Sequence, residues 1–327
     1  MKAQFRIITS LAPMAMLIAC ATEPGARITG TILASHTSNF SPWSEPVNLG
    51  LTINSSFNDQ QAALSKDGLS LYFGSNRPGT PGPGPNDIWV SRRDCLECPW
   101  GTPANLGPPV NTPDNDAAPA ISRDGHWLFF LSNRPGSASS DLWAAWRGKV
   151  DDDFAWETPV HLGSGVNTAG FEGGPSYFEN DDVGVPQLYF NRNAAPVGTG
   201  GDIYVSEQGA DGSFGPASLV AALASPSSDQ RPSVAHSGLD LYFHSDRPGS
   251  GAIDIWVSTR ENVLVPWSFP TNLGPPINTA VAEQFPFIVS HGGTEWLYFT
   301  RNVAIPPAVD FDLFVSTRMR EGKREVL

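Results

Sequence analysis

Short apolar and aromatic runs alternate with turn-forming segments along most of the chain. A run such as Leu71-Tyr72-Phe73 is followed by an Arg-Pro-Gly turn and then by a second run, Ile88-Trp89-Val90. Short runs rich in β-branched and aromatic side chains, separated by Gly, Pro, Asn and Asp, are typical of β-strands. The pattern therefore predicts an all-β protein built from many short strands.

The strand pattern is repeated five times. The Leu-Tyr-Phe run recurs at 71–73, 188–190, 241–243 and 297–299, and as Leu-Phe-Phe at 128–130. The Leu-Tyr-Phe run is the second strand of each unit. The third strand follows it and begins at Asp87, Asp141, Asp202, Asp254 and Asp312. One acidic residue precedes each unit at intervals of 54 to 57 residues: Asp59, Asp116, Glu172, Asp229 and Glu283. A four-stranded unit at this period predicts a β-propeller blade, which needs neighbours to bury both of its faces.

The order of the elements predicts how the ring closes. The fourth strand of a unit runs from a Trp to an Asn-Leu-Gly, and its first copy, 43–50, precedes every other element. The last unit ends after Ser316 without a fourth strand of its own. We therefore expect a five-bladed propeller over residues 40–320, with a tail at 321–327. The N-terminal strand would complete the C-terminal blade and remove the open sheet edges.

The composition narrows the possible partners. The chain has 32 Gly and 30 Pro in 327 residues and a formal net charge of −13. Frequent Gly and Pro fit a strand-and-turn protein and disfavour long helices. An acidic chain without a basic patch argues against a nucleic-acid or anionic-membrane surface.

The first twenty residues have the features of a signal peptide. Lys2 and Arg6 precede an apolar stretch that ends in Leu17-Ile18-Ala19-Cys20, which resembles a bacterial lipobox. The prediction is a lipid on Cys20 and a polar tether at 21–39, the only link to a membrane. The protein would then lie at the cell envelope, on the periplasmic face of the outer membrane or the cell surface. An ordinary cleaved signal with an incidental cysteine is the alternative.

The other two cysteines, Cys95 and Cys98, form a Cys-Leu-Glu-Cys motif. Outside the cytoplasm a disulfide is the expected state, and no second cysteine pair exists to complete a metal site. We predict no metal centre and no cofactor. Asp151-Asp152-Asp153 is expected to be a solvated loop, with calcium binding as the alternative.

The acids at the start of each unit are the main candidates for chemistry. First strands line a propeller channel, so five carboxylates would form a ring at one channel mouth. Each blade also offers an arginine, placed four residues after the Phe in the Asp blades and two residues after it in the Glu blades. Acid length and arginine position change together, which indicates pairing in two geometries. The ten residues form either a structural ion-pair ring or a polar ligand site: Asp59, Asp116, Glu172, Asp229, Glu283, Arg77, Arg134, Arg192, Arg247 and Arg301.

The repeat resembles the WD-like propeller repeats of the TolB type, common in bacterial envelope proteins. The segments Ser65-Lys66-Asp67-Gly68 and Ser122-Arg123-Asp124-Gly125, together with the Arg-Pro-Gly turns, carry this resemblance. It implies a platform for binding or scaffolding, with an envelope protein as partner. That is the first function hypothesis.

The alternative is a carbohydrate-active enzyme or a sugar-binding module. Five-bladed propellers of the arabinanase and invertase type hydrolyse glycosidic bonds with inner-strand carboxylates. This resemblance implies Asp59 as base or nucleophile, Asp116 as its aid and Glu172 as acid, with an oligosaccharide as ligand. Carboxylates occur in every blade, however, which repeat symmetry explains without catalysis, so the sequence favours a non-catalytic role. A glycosidase should have a cleft over the ring with unequally paired acids, whereas a scaffold should have every acid bound to an arginine.

Overall fold

The computed structural model describes residues 40–78, 86–180, 182–193, 200–248, 252–304 and 310–321. The expected signal peptide, the lipidated Cys20, the tether and most of the tail lie outside the described residues. No helix in the described ranges is long and apolar enough to cross a membrane.

Twenty strands make up the described fold. In chain order they are β1 (Val47–Asn48), β2 (Asp59–Leu64), β3 (Ser70–Ser75), β4 (Asp87–Arg92), β5 (Ala104–Asn105), β6 (Asp116–Ile121), β7 (Trp127–Ser132), β8 (Asp141–Trp146), β9 (Val160–His161), β10 (Phe171–Phe178), β11 (Gln187–Asn193), β12 (Asp202–Glu207), β13 (Ser218–Leu219), β14 (Asp229–Val234), β15 (Asp240–Ser245), β16 (Asp254–Thr259), β17 (Thr271–Asn272), β18 (Glu283–His291), β19 (Thr294–Asn302) and β20 (Phe311–Met319).

These strands form five antiparallel four-stranded sheets, which confirms the predicted five-bladed propeller. Four sheets follow chain order: β2 to β5, β6 to β9, β10 to β13, and β14 to β17. The fifth has the order β1-β20-β19-β18, with Val47 paired to Val315. The N-terminal strand therefore completes the C-terminal blade, as the order of the sequence elements predicted.

The core lies between adjacent blades. Tyr242 of β15 and Phe299 of β19 are both fully buried and belong to one hydrophobic cluster, although they come from different blades. Each Leu-Tyr-Phe strand thus packs on two neighbouring sheets. Burying large aromatic side chains removes much apolar surface from water, so stacking of the blades, more than any single sheet, stabilises the ring.

The first strand of each blade, β2, β6, β10, β14 or β18, is its inner strand. Each inner strand contains one residue in the left-handed backbone conformation. The five are Gln61 (φ 63°), Ala118 (φ 54°), Gly174 (φ 57°), Arg231 (φ 56°) and Phe285 (φ 53°). The pairing register shifts at this point, for example between Gln60 and Ala63 of β2. Four of the five are not glycine, so each carries backbone strain that the surrounding structure has to offset.

Hydrogen bonds from the preceding blade hold several of these strained residues. The N–H of Phe285 donates to His244 Nδ1 at 3.1 Å, and the N–H of Arg231 donates to Asn191 Oδ1 at 3.3 Å. His244 and Asn191 occupy equivalent places on the second strands of their blades. His244, which stands where the equivalent strand of the first unit has Gly74, is therefore a buried acceptor between blades.

The expectation of a solvated loop at 151–153 is wrong for Asp153. Its side chain is buried and accepts hydrogen bonds from Ser70 Oγ at 3.0 Å and from the hydroxyl of Tyr72. Arg147 Nη1 lies 3.0 Å from the same carboxylate. The carboxylate thus joins the loop after β8 to the neighbouring blade, and it is satisfied by protein donors rather than by water.

Cys95 and Cys98 are joined by a disulfide in the loop between β4 and β5. Among the described residues, no group of three or more His, Cys, Asp or Glu side chains is arranged to hold a metal ion.

Candidate functional site

The five acids that begin the inner strands are completely buried. Each has 0 % exposure and forms an ion pair with the arginine of its own blade. The pairs are Asp59–Arg77 at 2.5 Å, Asp116–Arg134 at 2.6 Å, Glu172–Arg192 at 2.9 Å, Asp229–Arg247 at 2.8 Å and Glu283–Arg301 at 2.9 Å.

The register of the strands explains the two pairing geometries. In the Glu blades the acid and the arginine are direct cross-strand partners, as in Glu172 and Arg192. In the Asp blades a serine stands opposite the acid, as Ser132 does for Asp116, and the arginine follows two residues later. The shorter aspartate therefore receives both the serine hydroxyl and the guanidinium on one oxygen, at 2.6 Å each for Asp116 Oδ1.

The remaining oxygen of each acid is also bound. Asp116 Oδ2 accepts from the N–H and the hydroxyl of Thr112 at 2.6 and 2.7 Å. Glu172 likewise receives the hydroxyl and the N–H of Thr168 at 2.6 and 3.1 Å. Each carboxylate therefore accepts hydrogen bonds on both oxygens and is held firmly within its own blade. The ring predicted as either a structural ion-pair ring or a ligand site, with the catalytic candidates Asp59, Asp116 and Glu172 among its members, is a closed set of five ion pairs.

The aspartates that begin the third strands also serve the blades. Asp87, Asp254 and Asp312 each accept a hydrogen bond from the Asn of the adjoining Asn-Leu-Gly segment, at 2.9, 2.8 and 2.7 Å. His161 replaces that Asn beside Asp141, at 2.8 Å. The Asn-Leu-Gly motif therefore ties the outermost strand to its neighbour.

The open space lies along the other half of the channel. A cavity of about 580 Å³ is lined by the inner strands of all five blades and by the turns that follow them. None of the ten ring residues is among the described residues that line it. Its volume is in the range of small-molecule sites.

Aromatic faces and polar groups share the wall of this cavity. Tyr177, Phe285 and Phe287 line it and are only partly buried. Tyr177 stacks on Phe129 with 4.6 Å between ring centroids, and its hydroxyl donates to Gln208. Because these rings are fixed from behind, they present flat apolar surfaces to a ligand.

Three carboxylates stand at the rim of the cavity in unequal surroundings. Burial, with the nearby charge of Asp124, raises the pKa of Glu179. Burial alone would raise the pKa of Asp67, but hydrogen bonds from the Ser65 hydroxyl and from the N–H of Leu69 lower it below its usual value. Asp67 and Asp124 occupy the same Ser-x-Asp-Gly turn in adjacent blades, and Asp124 Oδ1 accepts the Ser122 hydroxyl at 2.5 Å and the His126 N–H at 3.0 Å.

Arg231 differs from every other arginine that reaches the channel interior. It lines the cavity from the middle of β14, and its Nε and Nη1 atoms are buried without a hydrogen-bond partner. It forms no ion pair in the part of the chain that the structure describes, and burial lowers its pKa to about 10.

Sequence reasoning missed both Arg231 and Glu179. The available sign was that a charge at 231 stands where the other blades have Gln61, Ala118, Gly174 and Phe285.

No family model and no curated protein matches the sequence. Solved structures do resemble the fold. A thermostable family-43 glycoside hydrolase is 13 % identical over 81 % of this chain and 90 % of its own, with a TM-score of 0.57. An alpha-L-arabinofuranosidase from Lactobacillus brevis is 13 % identical over 80 % and 90 %, with a TM-score of 0.57. An endo-arabinase from Bacteroides thetaiotaomicron is 14 % identical over 84 % and 97 %, with a TM-score of 0.57. At these identities the likeness establishes the fold alone.

The comparisons correct the assignment to TolB-type repeats, which is wrong. No family model matches, and the structural neighbours are five-bladed propellers described as glycoside hydrolases and arabinases. The residues that suggested TolB have local structural roles instead. Ser65 and Asp67 close a turn through a 2.5 Å hydrogen bond, and Arg77 binds Asp59 in the ring. Such turn and pairing residues specify a blade, not a particular propeller family.

Proposed function

We propose that this protein is a carbohydrate-active propeller that binds an oligosaccharide in the central cavity. The observation that carries the proposal is the cavity itself, about 580 Å³ in volume, open within the channel and walled by partly exposed aromatic rings. The closed acid ring lies outside it. We therefore propose that the ligand lies along the later halves of the inner strands, which line the cavity.

The wall suits sugars in two ways. Sugar rings present C–H faces that pack on flat aromatic side chains such as Tyr177 and Phe287. Their hydroxyl groups need hydrogen-bond partners, and Ser65, Ser233 and Ser290 lie among the lining residues. A mostly apolar cavity with a few polar groups is the usual form of a small-molecule site. The names of the structural neighbours support the carbohydrate class, and no comparison supports an envelope protein as partner.

Titration calorimetry of the purified protein against arabino-, xylo- and cello-oligosaccharides tests this proposal. Phe287→Leu keeps an apolar side chain but removes the ring, and we expect it to weaken binding. Phe269→Leu is the matched control, since Phe269 is 82 % exposed and is not among the cavity residues. If no neutral or acidic oligosaccharide binds the wild-type protein, the proposed function is wrong.

Hydrolysis of the bound sugar is a second candidate function, favoured by the unequal carboxylates at the rim. Two carboxyl groups in different environments can divide the acid and base roles. Glu179, with its raised pKa, would donate a proton to the leaving glycosidic oxygen. Asp124 would accept a proton from the water that attacks the anomeric carbon.

Turnover assays with the oligosaccharides that bind separate catalysis from binding. Glu179→Gln is expected to abolish hydrolysis while leaving affinity within about threefold, because the amide keeps the size of the side chain. Asp67→Asn is the control, since it changes the equivalent turn of the next blade. Binding without any hydrolysis in the wild-type protein would leave a sugar-binding module and exclude this candidate.

The envelope location rests on residues 1–20 alone and is proposed on that basis. Expression of the full chain and of Cys20→Ser, followed by separation of membrane and soluble fractions, tests it. Wild-type protein in the membrane fraction and soluble Cys20→Ser protein are expected. Equal distribution of the two would exclude a lipid anchor.

A further inference from the structure

Arg231 places an uncompensated positive charge inside the cavity. Two of its three guanidinium nitrogens are buried without a partner, while its side chain lies over the ring of Phe285 at 5.2 Å. The five ring arginines, by contrast, each bind a carboxylate. Taking a guanidinium out of water without a counter-ion is costly. The protein tolerates this cost at a position where four other blades have uncharged residues.

The surroundings of Arg231 are shaped to accommodate it. A Cβ on Gly174 would lie 2.4 Å from Arg231 Cδ, so only glycine in the preceding blade leaves room for this side chain. Asn191 holds the strained backbone of Arg231 through its N–H, and Phe285 supports the guanidinium from one face. Because Asn191 restrains the backbone of Arg231 and Phe285 restrains its guanidinium, the N–H groups of the side chain have a fixed direction, as in a preformed binding site.

The geometry points to a ligand that carries a carboxylate, and we propose that the cavity binds an acidic oligosaccharide with a uronate residue at Arg231. This inference rests on the proposed function and names the sugar class. A guanidinium presents a planar fork of N–H donors that matches the two oxygens of a carboxylate. In the binding mode we propose, the uronate carboxylate accepts hydrogen bonds from the guanidinium of Arg231 and supplies the counter-charge that this side chain lacks.

The overall charge makes this assignment testable. The chain carries a formal net charge of −13, so long-range electrostatics disfavour an anionic ligand. Binding of a uronate would have to depend on a local cation. Substituting Arg231 should therefore have a large effect on acidic ligands and little effect on neutral ones.

The experiment compares oligogalacturonides with their methyl esters, which have the same length but no charge. Calorimetry on the purified protein should give binding of the acid form about 10- to 100-fold tighter than binding of the ester. Arg231→Met should remove this preference, and Arg231→Lys should retain only part of it. Arg320→Met is the matched control, because it deletes the same charge from an exposed residue that is not among those lining the cavity.

A second readout does not depend on binding. Since Arg231→Met removes an unpaired buried charge, the ligand-free variant should melt at a higher temperature than wild type. Equal affinity for acid and ester in the wild-type protein would overturn the uronate assignment and leave the proposed function standing. The same holds if only neutral oligosaccharides bind. Absence of any binding by acid, ester and neutral sugars would instead overturn the proposed function.

Discussion

Gln61 supplies a hydrogen-bond acceptor that Gly74 cannot. The side chain of Gln61 accepts the N–H of Ala118 through Oε1 at 2.7 Å. That oxygen lies 2.9 Å from the place where a Cβ on Gly74 would stand. In the blades of Asn191 and His244, the residue equivalent to Gly74 accepts the corresponding N–H directly. In the blade of Gln61, the acceptor for this backbone N–H therefore comes from the inner strand, whereas in the other two blades it comes from the second strand.

This substitution of one acceptor for another predicts a rescue. Gln61→Ala leaves the buried N–H of Ala118 unsatisfied and should lower the free energy of unfolding by about 1–3 kcal/mol. Adding Gly74→Asn restores an acceptor in the space that Gln61 vacates, and should recover most of the loss. A double-mutant cycle by urea denaturation measures the coupling. Additive effects of the two changes would contradict the interpretation.

His244 predicts a pH dependence of stability. Burial, together with the nearby charge of Arg231, lowers its pKa from 6.5 to about 3. In the unfolded chain the imidazole takes up a proton below about pH 6.5, whereas the folded protein resists it down to about pH 3. The contribution of His244 is therefore fully present above pH 6.5 and is lost as the pH falls, by about 1.4 kcal/mol per pH unit.

The matched variant for this prediction is His244→Asn, which places at 244 the residue that blade three has at 191. It keeps an acceptor for Phe285 but cannot titrate. Urea unfolding at pH 7.5, 6.0 and 5.0 should give a shallower loss of stability for the variant than for wild type. Identical slopes for the two proteins would show that His244 does not remain neutral in the fold.

Asp153 and Asp151 should respond differently to the same change. Asp153 is 2 % exposed and lies against Arg147 and Tyr72, whereas Asp151 is exposed. Asp153→Asn leaves the buried guanidinium of Arg147 without its counter-charge, and should lower stability by about 3–5 kcal/mol. Asp151→Asn should change it by less than about 0.5 kcal/mol. Thermal and urea denaturation compare the two, and equal effects would exclude the buried role.

The fold was predictable because its determinants are local and repeated. Each blade carries an acid, a strand of Leu, an aromatic residue and Phe, and a following strand that begins with Asp, in the same order. The displaced fourth strand at 43–50 reveals how the ring closes. The pairing of acid and arginine also follows from spacing, since the longer Glu172 reaches directly across to Arg192.

The candidate site was less predictable for the opposite reason. Arg231 is distinctive because two of its guanidinium nitrogens lack a partner, and Glu179 because the charge of Asp124 from another blade lies near it. Neither residue belongs to the repeated motif. An unpaired guanidinium cannot be told from a paired one until the neighbouring strands are in place. Asp153 was misjudged for the same reason, because its partner Tyr72 is distant in sequence. The repeated residues predict the fold of the propeller, whereas the candidate site residues are those that differ from the repeat.

The acid ring predicts a separation between stability and ligand binding. Asp116→Asn removes the counter-charge of the buried Arg134 and should cost about 3–5 kcal/mol in unfolding free energy. Adding Arg134→Met removes the stranded charge, and the double variant should recover a large part of the loss. Urea denaturation of the single and double variants measures both effects.

The same double variant tests whether the ring takes part in function. Asp116 and Arg134 do not line the cavity, so under the proposed function a folded Asp116→Asn/Arg134→Met protein should bind oligosaccharides as tightly as the unmodified protein. Affinity within about twofold of wild type is expected, measured by calorimetry below the melting temperature of the variant. Loss of turnover with intact folding and intact binding would return Asp116 to the catalytic role that its position on the inner strand first suggested.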